Sequence, residues 1–490
     1  MRTLILTAFV AFLFACSSGA SDGSANTATA TPTSVSTIPT GPSEAPEIHI
    51  EVEGLQAGTV YLIATFTDQR YRMDSTIVDP SGKMTFKKDE PYPSGLLFVY
   101  LPNKTAFQML VDRDQTFTMK TKVNDLNGAM VVEGSVDNEL LYKAMKYESS
   151  LRPKFDAVAA RMRTTAKGSA EYEAAQADQD ALVQERKDFL QNIFDENPAS
   201  LYTKFKIAGQ NPDPVNVYKD NGDLDTALQV FHYRNQFWDG VDFNDERLLR
   251  TPVISNKLKR YITELTPQNA DSIIASTRRL VDKLPPKSEY FKYITNYIAL
   301  YYEPGKTPVM DPNAIFVFIA QNYFTQEKAF WTDSIQIAGI QKRAAEQQNS
   351  LVGQKGPDVK AKDPNGNLRS IYEITAPYII VFMYNPDCDH CQEETPQLVR
   401  FYREWKPKGV EVYAIAIETE AVAWKNFIQK NGMNWINVSD PSNRAIYGTY
   451  FVDNTPELYV LNPDRTIIAK NLKPTQVAQV IERDMKKRGK

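Results

Sequence analysis

The sequence predicts a multidomain protein in which an antiparallel β-sandwich and an all-α middle region precede a C-terminal α/β domain. Three patterns support this prediction. Residues 47–134 alternate apolar and polar side chains, residues 135–348 follow the period of helices, and residues 350–490 alternate strand-like and helix-like segments. The chain has 490 residues, which is too long for a single hydrophobic core, so several domains are expected.

Composition excludes several classes of protein. Hydrophobic residues make up 42% and charged residues 24% of the chain, as in an ordinary folded protein. The formal net charge is only -4 and no basic stripe is present, so no nucleic acid is expected as a partner. The whole chain holds three cysteines, which are too few for a disulfide-rich scaffold.

The N-terminus has the pattern of an export signal. A positive residue precedes an apolar run at residues 4–14, which is shorter than the roughly 20 residues that span a bilayer. Residues 13–16 (Leu-Phe-Ala-Cys) resemble the lipobox of bacterial lipoproteins. This resemblance implies that residues 1–15 are a signal peptide and that Cys16 carries the lipid anchor. We therefore expect a periplasmic protein anchored to a membrane, with the outer membrane favoured.

The segment after the signal predicts a flexible tether over residues 16–46. It consists mainly of Ser, Thr, Ala, Gly and Pro and contains no aromatic residue. Such a composition buries too little apolar area to offset the entropy of ordering the chain. A coil of this length reaches roughly 30 Å, so the folded part would be held away from the membrane while remaining free to turn.

The two regions that follow contain the strands and helices of the first two domains. Turn sequences at 79–82 (Asp-Pro-Ser-Gly) and 127–128 (Asn-Gly) separate short strands in residues 47–134. The strand candidates lie at 48–52, 59–66, 75–79, 83–87, 96–101, 107–111, 115–120 and 129–133. In residues 135–348 the helix candidates lie at 136–148, 170–196, 223–238, 254–265, 268–283, 287–302, 311–324 and 328–347. These patterns predict folds but no chemistry.

A pair of cysteines gives the strongest functional signal. Residues 378–384 form a continuous apolar run, as expected for a strand that is buried on both faces. The turn 385–387 ends this run, and Cys388-Asp389-His390-Cys391 then opens a helical pattern. Cys388 would lie at a helix N-terminus, where free N–H groups and the helix dipole favour the thiolate. Cys391 follows one turn later, within disulfide reach.

The rest of the C-terminal region continues the α/β alternation. A strand is predicted at 410–417, a helix at 420–431, a hairpin at 457–462 and 466–469, and a last helix at 475–487. The dipeptide Thr455-Pro456 precedes the hairpin.

Residues 350–490 resemble the TlpA/ResA branch of the thioredoxin-like thiol-disulfide oxidoreductases. The resemblance covers less than a third of the chain. It is carried by Val352-Gly353 with Pro357, the turn Pro364-Asn365-Gly366, the C-x-x-C site, Pro396, the segment 418–432 and Thr455-Pro456. It implies a thioredoxin-like fold in which a cis peptide bond at Thr455-Pro456 faces the C-x-x-C site and Thr455 pairs with a substrate strand. The whole arrangement is similar to multidomain thioredoxin-family lipoproteins.

Two departures from the thioredoxin pattern affect the mechanism. Asp387 replaces the usual tryptophan before the first cysteine, and Phe382 replaces the usual buried acid. The resemblance suggests a glutamate after strand 410–417 that accepts the proton of Cys391, with Glu418 and Glu420 as the candidates and Glu418 preferred. Thr419 is an alternative occupant of that position, and a simple helix-capping role for Glu418 stays open.

The residues around Cys388 predict opposing effects on its thiolate. A histidine before the second cysteine, His390 here, resembles the DsbA type, in which it stabilises the thiolate, although a packing role for His390 stays open. Asp387 and Asp389 are expected to raise the pKa of Cys388 by like-charge repulsion. We therefore expect a reduction potential between the DsbA and thioredoxin values, closer to that of thioredoxin.

The sequence thus predicts a membrane-anchored oxidoreductase that acts on protein disulfides through a redox disulfide, Cys388–Cys391. It would work as a reductase that receives electrons from a membrane or periplasmic thiol-disulfide donor. No cofactor or metal is expected. Gln392 breaks the haem motif C-x-x-C-H, and Asn385 replaces the threonine of the peroxidase motif T-x-x-C. A non-catalytic lipoprotein that uses the thioredoxin-like domain to hold extended chains remains the alternative.

Overall fold

A computed structural model of the chain describes residues 43–452 and 454–489. The predicted signal peptide, the predicted lipid attachment at Cys16 and nearly all of the tether 16–46 lie outside these residues. Within the described ranges, no helix has the length and apolar character needed to cross a membrane.

The N-terminal region is a sandwich of two four-stranded sheets. One sheet has the order β4-β1-β7-β8 and the other the order β3-β2-β5-β6. The strands are β1 Glu47–Glu53, β2 Gly58–Phe66, β3 Gln69–Val78, β4 Lys83–Lys87, β5 Gly95–Tyr100, β6 Ala106–Val111, β7 Thr116–Lys122 and β8 Val131–Glu133. The predicted sandwich is confirmed, but it is not wholly antiparallel, because β1 and β7 pair in parallel. A period of two shows which side chains face the core and does not show the direction of the neighbouring strand.

The core of the sandwich extends beyond the strands. Val136 and Leu140 on α1 (Val136–Thr164) and Tyr202 on α3 (Leu201–Gly209) belong to the same apolar cluster as the strands. The buried Asn138 accepts a hydrogen bond from the Leu110 N–H at 2.8 Å and donates one to the Leu110 carbonyl at 2.7 Å. This amide satisfies backbone groups at the edge strand β6 that would otherwise be unpaired. The change from strands to helices near residue 135 therefore does not divide two separate cores.

The middle region is helical, as predicted. Besides α1 and α3 its helices are α2 Ala170–Glu196, α4 Thr226–Gln236, α5 Pro252–Arg260, α6 Ala270–Val281, α7 Glu289–Tyr301, α8 Pro312–Tyr323 and α9 Ser334–Gln348. Helix α1 runs 16 residues past its predicted end at residue 148, and α3 was not predicted. Buried aromatic side chains, among them Tyr261, Tyr290 and Phe237, form much of the core.

The C-terminal region is built on a seven-stranded sheet with the order β10-β9-β13-β12-β11-β14-β15. Its strands are β9 Lys360–Lys362, β10 Leu368–Ser370, β11 Tyr378–Tyr384, β12 Val410–Ile417, β13 Ile436–Asp440, β14 Glu457–Leu461 and β15 Ile467–Lys470. Its helices are α10 Asp389–Trp405, α11 Ala421–Asn431, α12 Arg444–Tyr450 and α13 Pro474–Lys487. This arrangement confirms the predicted thioredoxin-like α/β fold; β13 and α12 were not predicted.

Candidate active site

The first cysteine lies where a buried strand meets a helix. All seven residues of β11 are buried, since apolar layers cover both faces of this strand. The chain turns at residues 385–387, and the Cys388 N–H donates to the Asn385 carbonyl at 3.1 Å. Cys388 is the N-cap of α10 and has an extended backbone conformation. The predicted position of this thiol at a helix N-terminus is therefore confirmed.

Side-chain amides hold the turn before Cys388. The Asn385 amide oxygen accepts from the Asp387 N–H at 2.8 Å, and its nitrogen donates to the Glu418 carbonyl at 3.3 Å. The Gln392 amide donates to the Pro386 carbonyl at 3.0 Å. These bonds link the turn to the end of β12 and to the first turn of α10. They were not predicted, because nothing in the sequence indicates that β12 ends beside this turn.

Cys388 faces the loop that precedes β14. The Thr455–Pro456 peptide bond is cis, as predicted from the resemblance. The partly exposed Cys388 thiol donates a hydrogen bond to the Thr455 carbonyl at 3.2 Å. In the reduced protein, the Cys388 thiol therefore makes a hydrogen bond to the same Thr455 carbonyl that was expected to pair with a substrate. Both cysteines are free thiols here.

The surroundings of Cys388 favour its thiolate. Partial burial raises the pKa of the thiol, but hydrogen bonds from the side chain and N–H of Cys391, from Thr455 and from the His390 N–H outweigh burial. The net result is a lowered pKa. The net shift is therefore opposite to the increase predicted from Asp387 and Asp389. Both aspartates are exposed, so water screens their charges while the hydrogen bonds act directly on the sulfur.

Cys391 has the opposite character. Its side chain is completely buried, and the Thr395 hydroxyl donates to its carbonyl at 2.7 Å. Burial raises the pKa of the Cys391 thiol to about 12, and the neighbouring Cys388 adds to the increase. Hydrogen bonds from the Asn385 N–H and the Thr455 side chain oppose it. The structure thus brings Cys388, Cys391 and Thr455 together at one point.

Pro456 shares this position as the residue after Thr455, and the two remaining predicted site residues are His390 and Glu418. The His390 ring is exposed, and this residue acts on Cys388 through its backbone N–H. Glu418 follows β12 with an exposed side chain. Its carboxylate is not among the main groups that set the pKa of either thiol. The role of Glu418 as the proton acceptor of Cys391 therefore stays a prediction.

A buried phenol–indole pair was missed by the sequence analysis. The Trp424 Nε1–H donates to the Tyr384 hydroxyl oxygen at 3.1 Å, and both side chains pack in the apolar cluster that contains Cys391. The Tyr384 ring stacks on Phe382, with 5.4 Å between the ring centroids. Phe382 thus contributes an apolar ring where thioredoxins have an acid. No sequence signal joins Tyr384 to Trp424, because 40 residues separate them.

Comparison with known proteins assigns the two ends of the described chain. Residues 352–470 match the model of the AhpC/TSA family. Residues 47–141 match a domain of unknown function, DUF4369. The second match covers the β-sandwich together with the first turns of α1.

The chain is also similar to curated relatives and to solved structures. The thiol-disulfide oxidoreductase ResA of Bacillus subtilis (strain 168) is 24% identical over 116 residues, which are 24% of this chain and 64% of ResA. The chain thus spans less than two thirds of that relative. A domain of a possible thiol-disulfide isomerase from Cytophaga hutchinsonii is 34% identical, with 29% of this chain and 97% of that domain covered and a TM-score of 0.27.

A thioredoxin-like protein from Bacteroides caccae is 19% identical, with 56% of this chain and 99% of that protein covered and a TM-score of 0.45. The family match and the seven-stranded sheet concern the same C-terminal residues. Residues 352–470 therefore form a thioredoxin-like domain of the AhpC/TSA family, and the chain is similar to the ResA thiol-disulfide oxidoreductases over 116 residues.

Proposed function

We propose that this protein is a thiol-disulfide oxidoreductase that reduces protein disulfides with Cys388 and Cys391. The observation that carries the proposal is the asymmetry of the two thiols. Cys388 is partly exposed and has a lowered pKa, whereas Cys391 is buried and has a raised pKa. An attacking thiol needs access and thiolate character, and a resolving thiol needs to stay protonated until the mixed disulfide forms.

The reaction proceeds through two exchange steps. The Cys388 thiolate attacks a substrate disulfide, so that a mixed disulfide forms and one substrate sulfur leaves as a thiolate and takes up a proton. Cys391 then loses its proton and attacks the Cys388 sulfur. The second substrate sulfur leaves and is protonated, and the Cys388–Cys391 disulfide remains. Two electrons have passed from the cysteine pair to the substrate, and a thiol donor must return them.

Thr455 supports both steps in this proposal. Its side chain lowers the pKa of both thiols, and its carbonyl lies 3.2 Å from the Cys388 sulfur. When Cys388 forms a mixed disulfide its thiol proton is gone, and the carbonyl becomes free to accept an N–H from a substrate strand. Thr455 therefore holds the substrate chain next to the sulfur that it must exchange.

The turn before Cys388 lacks the threonine that the peroxidase motif T-x-x-C requires. Asn385 occupies the position of the threonine in T-x-x-C, and its amide is engaged with the Asp387 N–H and the Glu418 carbonyl. Asn385 therefore acts as a brace for the turn, and it has no hydroxyl to offer a peroxide.

The place of action belongs to the proposal as well. The signal-like residues 1–15 support a protein that works outside the cytoplasm, and the lipobox-like residues 13–16 would provide the anchor to a membrane. The cysteines of the chain are Cys16, Cys388 and Cys391. Lipidation of Cys16 would therefore leave a single thiol pair, with no third thiol to divert the exchange. The electron donor would be a membrane or periplasmic dithiol.

Trapping of the mixed disulfide tests the exchange. In cells, Cys391→Ala should accumulate adducts between Cys388 and substrate proteins that dithiothreitol dissolves, because the resolving thiol is missing. The double variant Cys388→Ala/Cys391→Ala is the matched control and should give none. If Cys391→Ala forms no more adduct than the double variant, the chain does not exchange disulfides with proteins and a binding role takes its place.

The reduction potential tests the direction. Alkylation of the full chain in graded glutathione or dithiothreitol buffers gives the equilibrium potential of the pair. A value towards the thioredoxin end, roughly −270 mV, supports a reductase; a value near the DsbA end, roughly −120 mV, means that the protein oxidises its substrates.

A further inference from the structure

The loop that carries Thr455 is supported from outside its own domain. It joins the end of α12 at Tyr450 to the start of β14 at Glu457, and it presents the carbonyl that contacts Cys388. Its position relative to Cys388 therefore determines how a substrate chain can lie at the site. Two residues from the end of the helical middle region hold the first residues of this loop.

The first support is Arg343 on α9. Its guanidinium carbon lies 5.6 Å from the centre of the Phe451 ring and 6.0 Å from that of Phe316 on α8. Phe451 is buried and has a φ of 58°, a left-handed conformation that a bulky residue keeps only when its surroundings hold it. The guanidinium stacked on its ring is one such restraint.

The second support is Ser350, which follows α9. Its buried hydroxyl donates to the Tyr450 carbonyl at 2.8 Å. This carbonyl lies in the last turn of α12, where no later residue of the helix can bond to it. The Tyr450 hydroxyl in turn donates to the Pro357 carbonyl at 2.9 Å. Ser350 thus fixes the end of α12 to the segment that leaves the helical region.

A buried ion pair fixes that segment. Lys470 on β15 lies 3.7 Å from the Asp311 carboxylate at the start of α8, and the two side chains are 3% and 4% exposed. The Lys470 ammonium also donates to the Ser350 carbonyl at 3.2 Å, and the Val352 N–H donates to Asp311 at 2.7 Å. Both charges are withdrawn from water, so the pair holds only in one relative placement of α8 and β15.

From these contacts we infer that the helical middle region is a positioning element for the substrate-binding loop, in which Arg343 and Ser350 set the placement of Thr455-Pro456 against Cys388. The inference rests on the proposed function and gives the middle region a part in it. A protein substrate must pair with the loop while it exchanges sulfur, so it needs the loop in place. A small disulfide needs only the Cys388 sulfur.

The test compares two substrates in steady-state assays of the full chain with dithiothreitol as the reductant. Arg343→Met removes the guanidinium from Phe451. It should raise KM for insulin by about two- to five-fold, the range expected for the loss of one cation–π contact. The rate with a small aromatic disulfide and the reduction potential of the cysteine pair should not change. Arg343→Lys keeps a cation near the ring and should restore part of the effect.

Lys342→Met is the matched control. Lys342 lies on the same helix and lines a surface cleft together with Arg343 and Phe451, but its ammonium pairs with Glu346 at 3.9 Å and its side chain is 79% exposed. Its loss removes the same charge and leaves the loop contacts intact. Equal effects of Lys342→Met and Arg343→Met would show a general charge effect and overturn the inference.

A second variant and a direct readout keep the inference testable if Arg343→Met folds poorly. Ser350→Ala should also raise KM for insulin, and hydrogen exchange followed by mass spectrometry should speed up in peptides covering residues 451–458. Unchanged exchange together with unchanged KM in both variants would refute the positioning role. If the unmodified chain reduces neither insulin nor the small disulfide, the proposed function itself fails, whatever the variants do.

Discussion

The most direct prediction concerns the unequal reactivity of the two thiols. In the reduced protein, iodoacetamide should modify Cys388 and leave Cys391 almost untouched at about pH 8. The reason is that alkylation proceeds through the thiolate, and the structure lowers the pKa of Cys388 while burial raises that of Cys391 to about 12.

The pKa values set the size of the effect. A thiol with a pKa of about 12 is ionised to roughly one part in ten thousand at about pH 8, whereas a thiol below the ordinary range is ionised to more than about a tenth. Alkylation of Cys388 should therefore be about a thousand-fold faster or more. Complete burial of Cys391 widens the difference, because the reagent cannot reach the sulfur without local opening.

Timed alkylation followed by peptide mass spectrometry measures both rates in one sample. Repeating it across pH separates ionisation from access, since ionisation alone gives a tenfold rise per pH unit below the pKa. The Cys388→Ser variant is the control that reports Cys391 alone. The reasoning is refuted if Cys391 reacts within tenfold of Cys388 at about pH 8, or if Cys388 titrates above the ordinary thiol range of about 8.5.

Three further predictions concern other side chains. Lys470→Met leaves the Asp311 charge buried without its ion-pair partner, so the free energy of unfolding measured in urea should fall by about 3–5 kcal/mol. The control is Lys408→Met at the exposed pair with Glu404, which should lower it by less than about 1 kcal/mol. Similar losses in both variants would contradict a stabilising role of the buried pair. Burial raises the pKa of Asp137 to about 6, so the folded protein keeps this side chain protonated at pH values where the unfolded chain has already released the proton. The free energy of unfolding should therefore fall as the pH rises from about 4 to 6, by up to about 3 kcal/mol. Asp137→Asn should reduce this pH dependence, to which Asp114 also contributes because burial raises its pKa to about 6, and an unchanged profile would count against it. Thr455→Val should raise the pKa of Cys388, measured by the ultraviolet absorbance of the thiolate; a fall or no change would show that the hydroxyl does not act on the sulfur.

Local sequence predicted the catalytic pair well, because the signals that position it are short in range. The apolar run 378–384 and the turn that follows were sufficient to place Cys388 at a helix start, and both features depend on neighbouring residues. Thr455-Pro456 was located through its family resemblance and its place before the hairpin, and its peptide bond is cis. Cys391, three residues after Cys388, has to lie on the inner side of α10 once that helix packs on the sheet.

Errors arose where distant segments meet. The predicted sandwich missed the parallel pairing of β1 with β7, since alternation does not encode strand direction. The increase in the pKa of Cys388 expected from Asp387 and Asp389 was inferred from neighbours in the sequence alone. It could not include Thr455, which is 67 residues away and contacts the sulfur. Glu418 lies next to the turn through its carbonyl and has an exposed side chain, and its role as proton acceptor stays a prediction. The contacts of Arg343 and Ser350 with the loop before β14 could not be predicted either, because about 100 residues separate the two partners in the sequence.

The sequence by itself determined which residues could exchange electrons: one Cys-x-x-Cys pair, at the start of a helix, in the last third of the chain. Helix starts, turns and buried strands follow from a few adjacent side chains, so these features could be predicted. Only the tertiary structure decided the state of each thiol and the groups that act on it. A pKa depends on burial and on hydrogen bonds, and at this site they come from Asn385, Thr455 and the apolar core around Cys391. Those surroundings exist only after strands and helices that are far apart in the chain have packed together.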